Sequence, residues 1–187
     1  TYRPINDIHT HYAHIVGKSK SGIRNTSYGG EGFASDINKT FIFSCYARAD
    51  ENTKLSAVIA DRKGKIFGKI EFDCADKEWH KYEFEIITNE KCKNAYLSII
   101  LPNGGEADLE FISLFPKDTF KGRKNGMRKD IAEMIADMKP KFMRFPGGCI
   151  VEGRSYDNMY NWKDTIGSVE KRKTNWNRWQ MEEYRNL

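Results

Sequence analysis

Seven runs of strand length and strand composition fill the first 115 residues, and no helix-length segment interrupts them. They occupy residues 11–16, 41–48, 55–60, 65–72, 81–87, 95–101 and 108–115, and their Ile, Val, Phe and Tyr side chains suit a pleated, half-buried surface. Asp61-Arg62-Lys63-Gly64, residues 73–78 and Pro102-Asn103-Gly104-Gly105 separate some of them with residues that favour turns. Many short strands between turns predict two stacked antiparallel sheets. Residues 1–116 are therefore expected to form a jelly-roll-like β-sandwich, and 39% hydrophobic residues, 13% of the chain being aromatic, suffice for its core.

Two stretches inside this region carry a second reading. Trp79 and Tyr82 are ring platforms on which a sugar could stack, but alternation puts Tyr82, Phe84 and Ile86 on one face and Lys81, Glu83 and Glu85 on the other, so a core role is expected. Tyr28-Gly29-Gly30-Glu31-Gly32-Phe33 is rich in glycine, yet it does not run from a strand through G-x-G-x-x-G into a helix, so it is no nucleotide cradle. A sugar-contacting loop and a plain surface loop both remain open for it.

Cys45, Cys74, Cys92 and Cys149 have neither C-x-x-C spacing nor a neighbouring histidine pair, so no metal site is expected. The net charge of +5 comes from basic residues spread among nearly as many acids, with Glu170-Lys171-Arg172-Lys173 the one compact basic run, so no nucleic-acid partner is expected. The sequence shows no signal peptide, lipidation motif or transmembrane run, and no membrane partner is expected. It begins at Thr1 rather than Met, so the missing signal does not decide the compartment.

After Phe115 the period changes. Residues 117–126 are polar punctuation, and then Met127, Ile131, Met134, Ile135 and Met138 recur at helical spacing opposite Arg128, Asp130, Glu133 and Asp137. This predicts one amphipathic helix whose methionines pack into a core, stopped by Pro140. A short apolar run, expected as a strand, then delivers Arg144 into the bend Pro146-Gly147-Gly148 and on to Cys149. Helix followed by strand is half of a βαβ unit, which needs neighbouring strands. Past Gly153 the chain offers only an irregular tail bearing Tyr156, Tyr160, Trp162, Trp176, Trp179 and Tyr184. Residues 117–187 thus read as an incomplete piece of a second domain, far short of the about 250 residues of a βα-barrel. The faces left uncovered between residues 127 and 145 leave homo-oligomerisation open.

The run Lys139-Pro140-Lys141-Phe142-Met143-Arg144-Phe145-Pro146-Gly147-Gly148-Cys149-Ile150-Val151-Glu152-Gly153, followed by Asn161-Trp162-Lys163-Asp164-Thr165-Ile166-Gly167, resembles the α-L-arabinofuranosidases of glycoside hydrolase family 51. Residues 114–120 and 125–128 resemble the junction between sandwich and barrel in the subgroup with an inserted carbohydrate-binding-like module. The resemblance implies a mostly β chain, a galactose-binding-like sandwich (1–116) followed by an incomplete piece of a (β/α)8 barrel (117–187). It also implies retaining hydrolysis of terminal α-L-arabinofuranosyl groups on arabinan, arabinoxylan or oligosaccharides, with no cofactor. In that family the two catalytic glutamates lie on later barrel strands, so no catalytic residue is expected within this chain, and Glu152 reads as a loop residue. By resemblance Arg144 orients a carboxylate or sugar hydroxyl with its planar donors, Cys149 touches the arabinose or is a small buried thiol, and Trp179 flanks the leaving-group sugar. The implied partner is an arabinose-containing polysaccharide or oligosaccharide, met outside the cell or in the periplasm rather than in the cytoplasm. A different expectation for the sandwich is an autonomous carbohydrate-binding module, or a spacer that binds nothing.

Overall fold

The computed structural model describes residues 3–144, 147–176, 178–179 and 182–184. The chain divides into two compact units, Tyr12–Asp137 and a second made of Thr1–His11 with Met138–Leu187.

The first unit holds β1 (Ala13–Gly17), β2 (Ser21–Arg24), β3 (Phe33–Ser35), β4 (Thr40–Arg48), β5 (Thr53–Ala60), β6 (Ile66–Cys74), β7 (His80–Ile87), β8 (Cys92–Leu101) and β9 (Gly105–Pro116). One sheet has the order β1-β9-β4-β7, the other β2-β8-β5-β6 with β3 also on β8, and every pairing is antiparallel. This is the expected two-sheet sandwich. Alternation along β4 turns Phe41, Phe43, Cys45 and Ala47 inward, where they meet Leu55, Ala57 and Ile59 of β5 and Ile99 and Leu101 of β8. Phe43, Leu55, Ile59, Ile99, Leu101 and Leu109 are fully or almost fully buried, each worth about 1.5–3 kcal/mol against exposure.

The β7 pattern agrees with the expectation. Tyr82, Phe84 and Ile86 face the core, the first two against the Phe72 ring at 5.0 and 5.2 Å, while Glu83 and Glu85 point outward to Lys124 and Lys117. Strands β2 and β3 lie outside the expected runs. Each has three or four residues, and β2 contains Gly22, so neither shows a legible alternation. Between β4 and β9 the register slips from Ser44↔Ser113 to Tyr46↔Glu110, and Phe111 of β9 takes a φ of +48°, a bulge in mid-strand.

Beyond β9 the chain enters a tight loop. Thr119 bridges Arg128, Phe120 N–H donates to Met127 O at 3.0 Å, and Thr119 Oγ1 donates to Arg123 O at 2.5 Å. The loop leads into α1 (Lys129–Asp137), the expected amphipathic helix. Its apolar face is not core, however, contrary to expectation. Met127, Met134 and Met138 are 66%, 71% and 71% exposed, and only Ala132 is buried.

In the second unit the strand expected before the bend is not formed: residues 139–144 have no regular structure, and Phe142 and Met143 are exposed. A parallel strand is held only by neighbours on its own sheet, and among the described residues none pairs with this segment. Phe145 and Pro146 lie outside the described residues. The unit continues through α2 (Gly148–Glu152), short 3-10 turns, and a two-stranded hairpin of β10 (Thr174–Trp176) and β11 (Glu182–Tyr184). Asn6 ties its two sequence segments together, donating from Nδ2 to Glu170 O at 2.6 Å.

Candidate functional site

The Arg144 side chain lies near Gly148, which Gly147 and Cys149 flank in the chain, on a helix start rather than a strand end. Gly147 precedes α2 with φ +116°, a conformation closed to L side chains. A methyl group at Gly148 would sit 4.0 Å from Arg144 Nη2 and 3.9 Å from Glu152 Oε1, so a guanidinium and a carboxylate converge on this backbone. Glu152 Oε2 also pairs with Arg178 Nη1 at 3.4 Å, next to Trp179. Arg144 and Cys149 are exposed, and Trp179 is 55% exposed. Cys149 is a free thiol at the surface, so its alternative reading as a buried thiol is not met.

Side-chain amides hold this region. Asn158 Oδ1 accepts from Arg154 N at 2.8 Å and Ser155 N at 3.0 Å, and Tyr160 N–H donates to Val151 O at 3.2 Å beside α2. Buried Asn175 on β10 donates from Nδ2 to Asn158 O at 3.3 Å. Exposed aromatic rings gather in the same unit: Phe142, Tyr156, Trp162, Trp176 and Trp179. Among the described residues, the exposed large hydrophobic side chains of the sandwich unit include no aromatic ring.

In the sandwich the glycine-rich loop is fastened to β8. Tyr96 Oη donates to Gly30 O at 2.8 Å, Arg62 Nη2 donates to the same carbonyl, and Arg62 Nε donates to Tyr96 Oη at 2.9 Å. A side chain at Gly32 would collide with Ala95 O at 2.5 Å, which is why the chain needs glycine there. On the other sheet Arg48, its side chain 7% exposed, bonds Asp108 Oδ2 through Nε (2.8 Å) and Nη2 (2.7 Å), and His14 Nδ1 lies 2.7 Å from Asp108 Oδ1. The guanidinium lies over Tyr12 and Trp79, 5.3 and 5.0 Å from the ring centroids. A cation thus takes the ring face that sequence offered to a sugar.

Two features had no sequence signal because each depends on strands far apart in the chain. One is Glu110, whose Oε2 is buried with no hydrogen-bond partner, and whose carboxyl burial pushes up to about 7. The other is a cavity of about 630 Å³ between the sheets, walled by Ile23, Phe33, Phe41, Leu97, Ile112 and Leu114. Among the described residues no group of three or more His, Cys, Asp or Glu side chains is placed to hold a metal ion.

A family model described as the α-L-arabinofuranosidase 1 domain matches residues 134–187. The extracellular exo-α-L-arabinofuranosidase of Streptomyces chartreusis is 34% identical over 170 residues, 85% of this chain and 20% of that protein. The α-L-arabinofuranosidase 1 of Arabidopsis thaliana is 32% identical over 155 residues, 81% of this chain and 22% of the relative. The chain therefore spans about a fifth of the curated relatives it matches best along its length. An arabinose-bound family 51 α-L-arabinofuranosidase structure is similar in fold with a TM-score of 0.82 at 24% identity, covering 98% of this chain and 31% of the other. Relatives of one kind match along most of the chain, which is thus similar to part of the α-L-arabinofuranosidases and carries, over residues 134–187, the sequence of their α-L-arabinofuranosidase 1 domain.

Proposed function

We propose that this chain is part of a retaining α-L-arabinofuranosidase that removes terminal α-L-arabinofuranosyl groups from arabinan, arabinoxylan or oligosaccharides. Residues 12–116 are its accessory sandwich, and residues 117–187 are the start of its catalytic barrel, with residues 3–11 packed into the unit of residues 138–187 rather than into the sandwich. Similarity to the Streptomyces enzyme over 85% of the chain carries this reading. Retaining hydrolysis needs a carboxylate to attack the anomeric carbon and a second, about 5–5.5 Å away, to protonate the leaving oxygen. Both are assigned to polypeptide other than these residues, and neither a metal nor a cofactor is needed.

Arg144 has the part of a positioning donor. Its exposed guanidinium, beside the Gly147-Gly148 bend, is free in direction to meet a carboxylate or ring hydroxyl with two parallel N–H groups. Cys149 on the first turn of α2 offers a small side chain against the pentose, and Trp179 a face for the leaving-group sugar. The sandwich reads as a spacer, since exposed rings lie in the other unit and the Trp79 face carries Arg48. The name of the Streptomyces relative favours a location outside the cytoplasm, and no described helix is long and apolar enough to cross a membrane. The bare Met127–Met138 face favours self-association of the isolated chain.

The test is hydrolysis of 4-nitrophenyl α-L-arabinofuranoside. The 187 residues alone release no nitrophenol, while the chain joined to a full-length barrel does so with retained anomeric configuration by NMR. Turnover by the 187 residues, or inversion by the longer protein, overturns the proposal.

A further inference from the structure

Strand β9 is served unequally on its two sides. It pairs with β4 out to Pro116, but β1 accompanies it only from Gly105 to Leu109 and stops just before the Phe111 bulge. Lys117 N–H donates to Thr40 O at 2.9 Å. In an antiparallel ladder successive residues alternate direction, so residues 115 and 113 also turn their N–H and C=O to β4, while Leu114 and Pro116 turn theirs away. Pro116 has no N–H to leave bare there, which suits an edge position. Among the described residues no strand meets these outward groups.

The side chains of Ile112, Leu114 and Pro116 line the 630 Å³ cavity, whose opposite walls are Ile23, Phe33 and Leu97. A bare backbone edge thus runs beside an apolar space between the sheets. A small apolar molecule would fill the space and leave Leu114 N–H unmet. The lining also includes Arg24, Asn25, Ser27 and Ser113, which can bond a sugar's hydroxyls, but a sugar offers no alternating apolar groups for Ile23, Phe33, Leu97, Ile112 and Leu114. An extended polypeptide meets both needs, with main-chain bonds to Leu114 and Pro116 and alternate side chains in the cavity.

We infer that β9 beyond its bulge is an acceptor for one further β-strand, apolar at alternate positions, which completes the four-stranded sheet and closes the cavity. Its source is the remaining polypeptide of the longer protein, since curated relatives are about five times the length this chain matches. That source rests on the function proposed above, whereas the acceptor edge does not.

The test titrates the heptapeptide acetyl-Lys-Thr-Val-Thr-Val-Thr-Lys-amide into the ¹⁵N-labelled chain. The expected result is saturable one-to-one binding, a shift of the Leu114 amide signal, and at least tenfold slower hydrogen exchange there, with Val58 in β5 unchanged. The same peptide with proline at its central threonine gives no response, and this control leaves the protein's own folding untouched. Parallel titrations use arabinotriose and 8-anilinonaphthalene-1-sulfonate. A response at Leu114 to either of these but not to the heptapeptide overturns the inference, as does equal response to the proline peptide, a concentration-dependent shift without any peptide, or no response at all. None of these outcomes depends on whether the longer protein hydrolyses arabinofuranosides.

Discussion

Replacing Glu110 with glutamine should make the protein more stable at pH 8 and leave it unchanged at pH 4. The carboxyl is held near pH 7 by burial, with Oε2 unmet, whereas an unfolded glutamate ionises near pH 4.3. Between those two values the folded state keeps a proton that the unfolded state has lost, so the wild type loses stability as pH rises through the window. The full difference would be worth about 3–4 kcal/mol at 1.36 kcal/mol per pH unit. Glu110 is only half-buried, and solvent screening reduces this to roughly 1–2 kcal/mol. Tyr46 stands opposite on β4 with the Lys81 ammonium 5.9 Å from its ring centroid, and Asp108, on the same strand as Glu110, is paired with Arg48 and His14. Urea unfolding followed by tryptophan fluorescence at pH 4, 6 and 8 measures the effect. Glu110→Gln and wild type should coincide at pH 4 and separate by roughly 1–2 kcal/mol at pH 8. A constant difference at all three values, or a wild type that gains stability between pH 5 and 7 relative to the variant, refutes the reasoning.

Removing the Tyr96 hydroxyl with Tyr96→Phe takes one of the two donors from Gly30 O and should cost about 1 kcal/mol, read as a lower urea midpoint with unchanged slope. Thiol titration of the native chain should find Cys149 alone reactive, because Cys45, Cys74 and Cys92 are buried. Burial, with Cys74 adding to it, pushes the Cys45 thiol up to about 12, and all four should react only after unfolding. In the longer enzyme Arg144→Ala should lower kcat/KM by roughly 10- to 100-fold, the loss of charge-assisted hydrogen bonds worth about 1.5–3 kcal/mol. Steady-state kinetics on the aryl arabinofuranoside give the value, and an unchanged kcat/KM would remove Arg144 from the sugar site.

Much of the sandwich could be read directly because its long strands announce themselves. Alternation of Tyr82, Phe84 and Ile86 with charged neighbours put the right face inward. Strands β2 and β3 escaped notice, being too short to show a period and held in place by β8 rather than by their own sequence. The helix α1 was equally plain from its spacing, yet its burial was not, since spacing tells which residues share a face and not whether anything covers it. The apolar run before Arg144 failed as a strand for the same reason: it has the side chains of one but no neighbour to hydrogen-bond. Local signals placed Arg144 beside the glycine bend. The Glu110 burial and the inter-sheet cavity are set by side chains dozens of residues apart, which no local pattern contains.

The second compact unit draws on both Thr1–His11 and Met138–Leu187, with Asn6 bonded to Glu170 across that gap. During synthesis residues 3–11 emerge well before residues 138–187, so their contacts with that segment form only after the sandwich between them has been made. The sandwich thus lies as an insertion between two stretches that pack together, so its folding sets how soon residues 3–11 and 138–187 can meet.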